Sequence, residues 1–184
     1  MAKQFAALEP PHVRLIESAP LFFVATAAKD GRVNVSPKGR ESLRVLGPNR
    51  IAWLNLTGSG NETAAHLLRV NRMTLMWCSF EARPVILRAY GRARTIHKGE
   101  DGWDGLEALF PPDPGARQVF DLDVDLVQTS CGYAVPFMEF KGERDTLRRW
   151  AEDKGQAGVE AYWQDRNRRS IDGFDAGLPG PARG

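Results

Sequence analysis

The chain has 184 residues, a length typical of one domain. Apolar residues make up 42% of it and charged residues 26%, which fits a globular protein and excludes a fibrous or disordered chain. The 25 basic and 23 acidic residues leave a net charge of +2, too small an excess for a protein that binds nucleic acid through a basic face.

The sequence also indicates the cellular compartment in which the protein is expected. No apolar run approaches the ~18 residues of a transmembrane helix, and the first residues lack the apolar stretch of a secretory signal. The two cysteines, Cys78 and Cys131, cannot build a disulfide framework, and no Cys-x-x-Cys is present to hold zinc. We therefore expect a cytoplasmic protein with no membrane or nucleic-acid partner.

The first elements in chain order are a short helix over 12–17 and a strand over 21–27. The strand is continuously apolar, so we expect both of its faces to be buried. A turn at 29–31 contains a glycine, and the chain returns in an alternating segment. In that segment Val33 and Val35 share one face, because successive side chains of a strand point to opposite sides.

The next segments extend the β pattern. We predict strands over 51–56, 72–80 and 85–96, with a helix over 62–70 that directs Leu67 and Leu68 to the core. So many strands around one short helix predict a mainly β protein, an antiparallel barrel or sandwich, rather than alternating β–α units.

The second half is predicted to be more helical. A modest helix over 101–110 precedes a strand over 119–128, which residues 133–140 extend. A helix over 143–154 stops at Gly155, because glycine is the usual residue just after a helix end, and residues 157–168 continue helically. We expect a barrel domain over 1–140, a helical extension packed on it over 141–170, and a flexible Gly- and Pro-rich tail over 171–184.

Two places have side chains suited to an anionic ligand. Asn34, Ser36 and Lys38 share one face of the returning strand, where an amide, a hydroxyl and an ammonium converge. The alternative is an ordinary solvated strand face.

The second place is the Gly-rich stretch 57–61 before the helix at 62, because a helix start offers unpaired N–H donors to a phosphate. The alternative is a capping box, in which Ser59 and Glu62 satisfy those donors within the chain.

No catalytic constellation stands out. The three histidines have no metal-ligand spacing, and we predict no metal site. Cys131 has no sequence-adjacent base, and a buried, inert thiol is the stronger interpretation. No residue is identified as catalytic, a pattern typical of enzymes whose cofactor performs the chemistry.

The order and spacing of these segments resemble the pyridoxamine 5′-phosphate oxidase-like FMN-binding split-barrel superfamily. The stretches that carry the resemblance are 22–27, 29–39, 58–63 and 85–93, and together they lie within residues 10–97, about half of the chain. A later stretch, 127–136, is similar to a poorly characterised branch of that superfamily.

The resemblance implies a six-stranded antiparallel split barrel with flanking helices that forms a homodimer, with FMN at the interface and a small-molecule substrate. By the same resemblance, the cofactor-binding positions are Asn34, Val35, Ser36, Lys38, Thr57, Asn61, Glu62 and Thr63. The implied activity is an FMN-dependent oxidoreductase. The alternatives are a deazaflavin-dependent reductase and a non-catalytic flavin- or haem-binding protein on the same fold.

The sequence departs from the vitamin B6 oxidase itself at two places. That enzyme carries a basic pair at the helix entry, where this chain has Glu62 and Thr63. Either Asn61 and Thr63 donate to the phosphate instead, or another arginine substitutes. The basic carboxy-terminal motif of the oxidase is also not recognisable over 144–169, so we expect a flavin-binding relative rather than the oxidase.

Overall fold

The computed structural model describes residues 2–180, except for the side chain of Arg40. The strands are β1 (Lys3–Phe5), β2 (Leu21–Thr26), β3 (Asn34–Gly39), β4 (Leu43–Gly47), β5 (Arg50–Leu56), β6 (Met73–Cys78), β7 (Val85–His97) and β8 (Ala116–Cys131). The helices are α1 (Pro10–Ser18), α2 (Glu62–Arg69), α3 (Trp103–Glu107) and α4 (Thr146–Arg166).

The eight strands form one sheet in the order β3-β2-β6-β7-β8-β5-β4, with β1 also paired to β8. All of the pairings are antiparallel. The predicted mainly β split barrel with flanking helices is confirmed, although the sheet has eight strands where six were expected. The extra strands β1 and β4 are short, and both lie in segments for which the sequence analysis predicted no strand.

The long strands β7 and β8 form the spine of the sheet, since they pair from Val85 with Cys131 to His97 with Gln118. Their register shifts at Tyr90 and Gly91, which marks a β-bulge. A Cβ atom on Gly91 would lie 1.9 Å from the carbonyl oxygen of Asp123, so only glycine allows the two backbones to approach this closely.

Aromatic side chains fill the centre of the barrel. The rings of Trp53 and Phe120 stack with their centroids 4.6 Å apart, and Phe22 contacts both Trp53 and Trp77. The expectation that β2 is buried on both faces was wrong. Its residues alternate between buried and half-buried, because its second face is only partly covered.

The helix α2 packs its Thr63–Leu67 segment on the sheet. Leu67 is buried as predicted, but Leu68 is 62% exposed, so its predicted core position was wrong. The two leucines are adjacent, and 100° of rotation per residue places them on different sides of the helix.

The chain around the end of β8 differs from its sequence pattern. Cys131 is exposed, so the expectation of a buried thiol was wrong, because it is the last residue of the strand and lies beyond the core. Residues 132–145 form no regular strand, so the predicted extension of β8 over 133–140 was also wrong. The helix α4 breaks at Gly155, whose φ of 66° is non-helical, which agrees with the predicted stop.

The last described residues, 171–180, were predicted to belong to a flexible tail. In the structure Ala176 is buried in the barrel core, Leu178 packs against α4, and Asp172 pairs with Arg32. Residues 181–184 lie outside the described residues. Across 2–180, no helix has both the length and the apolar character needed to cross a membrane.

We expect the Gly91→Ala variant to lose about 3 kcal/mol of unfolding free energy, because backbone atoms of β8 must move to admit a methyl group. Urea unfolding followed by circular dichroism measures this loss. The matched control is Gly105→Ala in α3, where a Cβ atom meets nothing within 4 Å. Equal stability of the two variants would contradict the close approach at Gly91.

Candidate functional site

One cavity of about 1290 Å³ lies between strand β3, the end of β5, the start of α2 and the end of α4. It exceeds the ~300–1,000 Å³ of a typical small-molecule site. Of the eight residues predicted to bind a cofactor, seven line this cavity: Asn34, Ser36, Lys38, Thr57, Asn61, Glu62 and Thr63.

The alternation in β3 places its polar side chains in the cavity. Val33 and Val35 point outward and are 70% and 60% exposed. The side chain of Val35, the eighth predicted residue, therefore does not line the cavity. Since β3 pairs with β2 alone, its other edge retains free backbone donors and acceptors.

A hydrogen-bonded chain fixes the polar face of β3. The Ser36 hydroxyl donates to Asn34 Oδ1 at 2.9 Å, and Asn34 Nδ2 donates to Thr63 Oγ1 at 3.3 Å and Thr26 Oγ1 at 3.4 Å. Thr26 shares a further hydrogen bond of 3.1 Å with Nδ1 of the buried His66. The orientation of the Asn34 amide is therefore set from the interior of the protein.

Lys38 is a cation with little access to water. Its ammonium lies 5.3 Å from the centroid of the Trp53 ring, and no carboxylate pairs with it among the described side chains. Burial, reinforced by the charge of Arg117, lowers the pKa of Lys38 to about 8. An anion in the cavity would relieve this unfavourable environment.

Arg117, at the start of β8, is the functional residue that the sequence analysis missed. It is 2% exposed, and its Nη1 donates to the carbonyl of Gly60 at 3.2 Å and to Asn167 Oδ1. Its Nε has no partner, and none of the described carboxylates forms an ion pair with it. Burial lowers the pKa of Arg117 to about 10.

No motif marks Arg117. Its only sequence signal is a single charge between Ala116 and Val119, at the start of an otherwise apolar strand. The alternative that another arginine replaces the missing basic pair agrees with its position, because Arg117 contacts the Gly-rich loop that precedes α2.

Two of the residues predicted to bind the cofactor at the helix entry, Thr57 and Asn61, form hydrogen bonds within the protein. The Thr57 hydroxyl donates to the carbonyl of Gly115 at 2.8 Å and accepts from Trp163 Nε1 at 2.7 Å. Asn61 pairs with Gln118, whose Nε2 donates to Asn61 Oδ1 at 2.8 Å. Their direct roles as ligands stay predictions, and in this structure they hold the loop in place.

Glu62 does not form the capping box with Ser59. Its Oε1 instead accepts from the backbone N–H of Ile171 at 3.0 Å, and the N-cap residue Asn61 makes no side-chain cap. The first N–H groups of α2 are therefore left without a capping side chain. The arrangement combines a buried and a half-buried cation with a helix start, which suits a phosphate or another compact anion.

The antiparallel barrel with its flanking helices places the protein in the class of split-barrel proteins. The family model described as pyridoxamine 5′-phosphate oxidase matches residues 8–131, and the chain belongs to that family. It is 37% identical over 179 residues to the pyridoxamine 5′-phosphate oxidase family protein ustO of Aspergillus flavus, a match that covers 88% of this chain and 70% of ustO.

Two solved structures show the same fold. One is a Lactobacillus delbrueckii protein named for pyridoxamine 5′-phosphate oxidase, with a TM-score of 0.55 and 22% identity, which covers 67% of this chain and 94% of that protein. The other is a single-residue variant of HupZ of group A Streptococcus, with a TM-score of 0.53 and 17% identity, which covers 66% of this chain and 98% of HupZ.

We expect Lys38→Met to stabilise the ligand-free protein by roughly 2–3 kcal/mol at pH 7, because the folded protein buries a charged ammonium. The unfolded chain keeps a pKa near 10.5, so between pH 8 and 10.5 it binds more protons than the folded protein, and wild-type stability rises. The advantage of the variant should therefore shrink over that range.

Denaturant unfolding at several pH values measures this advantage. Lys29→Met, at an exposed position, is the control and should show no gain at any pH. An advantage of Lys38→Met that grew from pH 8 to 10.5 would contradict the buried charge.

Proposed function

We propose that the cavity binds FMN through its phosphate and that the protein is an FMN-dependent oxidoreductase acting on a small molecule. One observation carries the proposal: the buried Arg117 and the half-buried Lys38 have no carboxylate partner among the described side chains. Buried charges in proteins are normally paired, so a ligand with negative charge is the expected partner.

A phosphate fits the available donors better than a single carboxylate does. It supplies several acceptor oxygens, and the guanidinium of Arg117 presents its N–H groups in a fixed fork that matches such oxygens. The ammonium of Lys38 acts as a point charge. The uncapped start of α2 adds backbone donors and a positive helix end.

The rest of the cavity is suited to the flavin ring. Asn34 and Ser36 face the cavity beside the free edge of β3, so that amide, hydroxyl and backbone groups are available to the polar edge of the ring. The chain of hydrogen bonds from Ser36 through Asn34 to Thr63 holds these groups in one arrangement before the ligand binds, which reduces the ordering cost of binding.

When bound, FMN supplies the redox chemistry of hydride transfer. The residues of the chain then have the task of binding and orientation. Lys38 and Arg117 neutralise the phosphate, Thr63 offers its hydroxyl at the helix start, and Thr57 fixes the loop through its bonds to Gly115 and Trp163.

The test is binding of added FMN, followed by the change in flavin fluorescence and by the absorption spectrum of the freshly purified protein. We expect Arg117→Met to weaken FMN binding about ten- to hundredfold, the effect of losing a charge-assisted hydrogen bond. Arg88→Met is the control, because Arg88 donates to Ser130 outside the cavity.

Two results would reject the proposal. One is a wild-type protein that neither retains FMN nor binds it when added. The other is an Arg117→Met variant that folds normally and binds FMN as the wild type does. A haem spectrum or preferential binding of a deazaflavin would assign the cavity to that cofactor instead.

We further propose that the protein is a homodimer with the cofactor at the interface. Apolar side chains are exposed on β3 and after β8, where Val35, Tyr133 and Phe137 are 60%, 85% and 79% exposed. Met138 and Phe140 line a groove with Pro37 of β3, which connects the two parts of this surface. Exposed apolar patches of this kind mark interaction sites.

Light scattering should give the wild-type protein twice the mass of one chain, whereas the Val35→Lys/Phe137→Lys double variant should be a monomer with weakened FMN binding, because charges disrupt the apolar contact. Leu68→Lys is the control, since Leu68 is equally exposed on α2, away from this surface. A double variant that remained dimeric would exclude this surface as the interface.

A further inference from the structure

The carboxy-terminal half of α4 reaches into the cavity from outside the barrel. After the break at Gly155 the helix runs along the Gly-rich loop, and its Trp163 is almost fully buried. Trp163 Nε1 donates to Thr57 Oγ1 at 2.7 Å. The end of this helix therefore touches the same loop that precedes α2.

Asn167, directly after α4, makes the closest connection. It is fully buried, its Oδ1 accepts from Arg117 Nη1, and its Nδ2 donates to the carbonyl of Gly58 at 3.0 Å. Its own carbonyl accepts from Asn61 Nδ2 at 3.3 Å. One side chain thus joins the buried arginine of β8 to the loop at the start of α2.

The absence of charge on the Asn167 side chain is as important for Arg117 as its position is. An amide oxygen accepts a hydrogen bond from a guanidinium and fixes its direction, but it adds no negative charge. A carboxylate at the same position would form an ion pair and remove the net charge from the cavity. The amide therefore holds Arg117 and leaves its charge for a ligand.

We propose that Asn167 is the positioning residue of the anion site: it orients Arg117 toward the cavity without neutralising it. The identity of the ligand rests on the proposed function, whereas the role of Asn167 concerns any phosphate-bearing ligand. The helical extension is on this basis a functional part of the site, although it lies outside the barrel.

The substitution Asn167→Asp separates this role from a purely structural one. The variant retains the acceptor for Arg117 and almost the same side-chain volume, but it loses the Nδ2 donor to the carbonyl of Gly58, as Asn167→Ala also does. A purely structural role, in which Asn167 only holds the loop, therefore predicts that the two variants weaken ligand binding equally. A positioning role predicts that the aspartate of Asn167→Asp neutralises Arg117 and that this variant binds the ligand more weakly than Asn167→Ala does.

The experiment measures the FMN dissociation constant and the thermal midpoint of the protein with and without inorganic phosphate. The variants are Asn167→Asp and Asn167→Ala, with Gln156→Glu as the matched control. Gln156→Glu makes the same amide-to-carboxylate change on the same helix, at an exposed position outside the cavity.

We expect Asn167→Asp to weaken FMN binding about hundredfold and Asn167→Ala about tenfold, because both lose the bond to Gly58 and only Asn167→Asp also neutralises Arg117. Equal weakening in the two variants would overturn the proposal, because it would assign the whole loss to the bond to Gly58. Gln156→Glu should bind like the wild type. Asn167→Asp with wild-type affinity would overturn the proposal, and if that variant does not fold, wild-type affinity of Asn167→Ala does so.

Inorganic phosphate distinguishes failure of this inference from failure of the proposed function. If the wild-type protein binds no FMN but is stabilised by phosphate, the flavin assignment fails and the role of Asn167 is still decided. Loss of the phosphate shift in Asn167→Asp then supports the positioning role. An equal shift in both proteins, or no shift in the wild type, overturns it.

Discussion

The cavity depends on one constraint, the burial of the Arg117 guanidinium with no carboxylate of the described residues paired to it. A buried charge is stable only when neighbouring groups satisfy its hydrogen bonds or an opposite charge approaches. Here Gly60 and Asn167 accept two bonds, while Nε remains without a partner. Lys38 adds a second desolvated cation to the same cavity. If the cavity binds an anion, as proposed, the opposite charge recovers part of the stability that these desolvated cations cost.

This constraint also explains the arrangement around the Gly-rich loop. The carbonyls of Gly58 and Gly60 are acceptors for Asn167 and Arg117, so the loop is held by contacts from β8 and from the end of α4. Thr57 and Asn61, two residues with the side chains of phosphate ligands, are occupied in supporting the loop. Glu62 accepts from the backbone N–H of Ile171 and makes no cap on α2, although it still lines the cavity. Side chains that look like direct ligands in the sequence thus build the shape of the site.

Much of the barrel follows from local pattern. The alternation in β3 correctly placed Asn34, Ser36 and Lys38 on one face and Val35 on the other, because successive side chains of a strand point to opposite sides. The assignment of Val35 as a cofactor-binding residue, which the family resemblance implied, stays a prediction. The helix at 62–69 and the break at Gly155 are also local features, fixed by glycine and by apolar spacing. The short strand β4 was missed because its five residues show no clear alternation of polar and apolar side chains. It is stabilised by pairing with β5, which a search for alternation does not detect.

The sequence by itself determined the mainly β class, the polar face of β3 and the family resemblance, because each depends on residues close together in the chain. The tertiary structure decided the surroundings of the two cations. Lys38, Arg117 and Asn167 are brought together by strand pairing and by the return of α4, and neither Arg117 nor Asn167 belongs to a motif in the sequence. Whether a charge is buried and unpaired is a property of the packed chain, since it depends on every neighbour that excludes water and on every carboxylate that stays away.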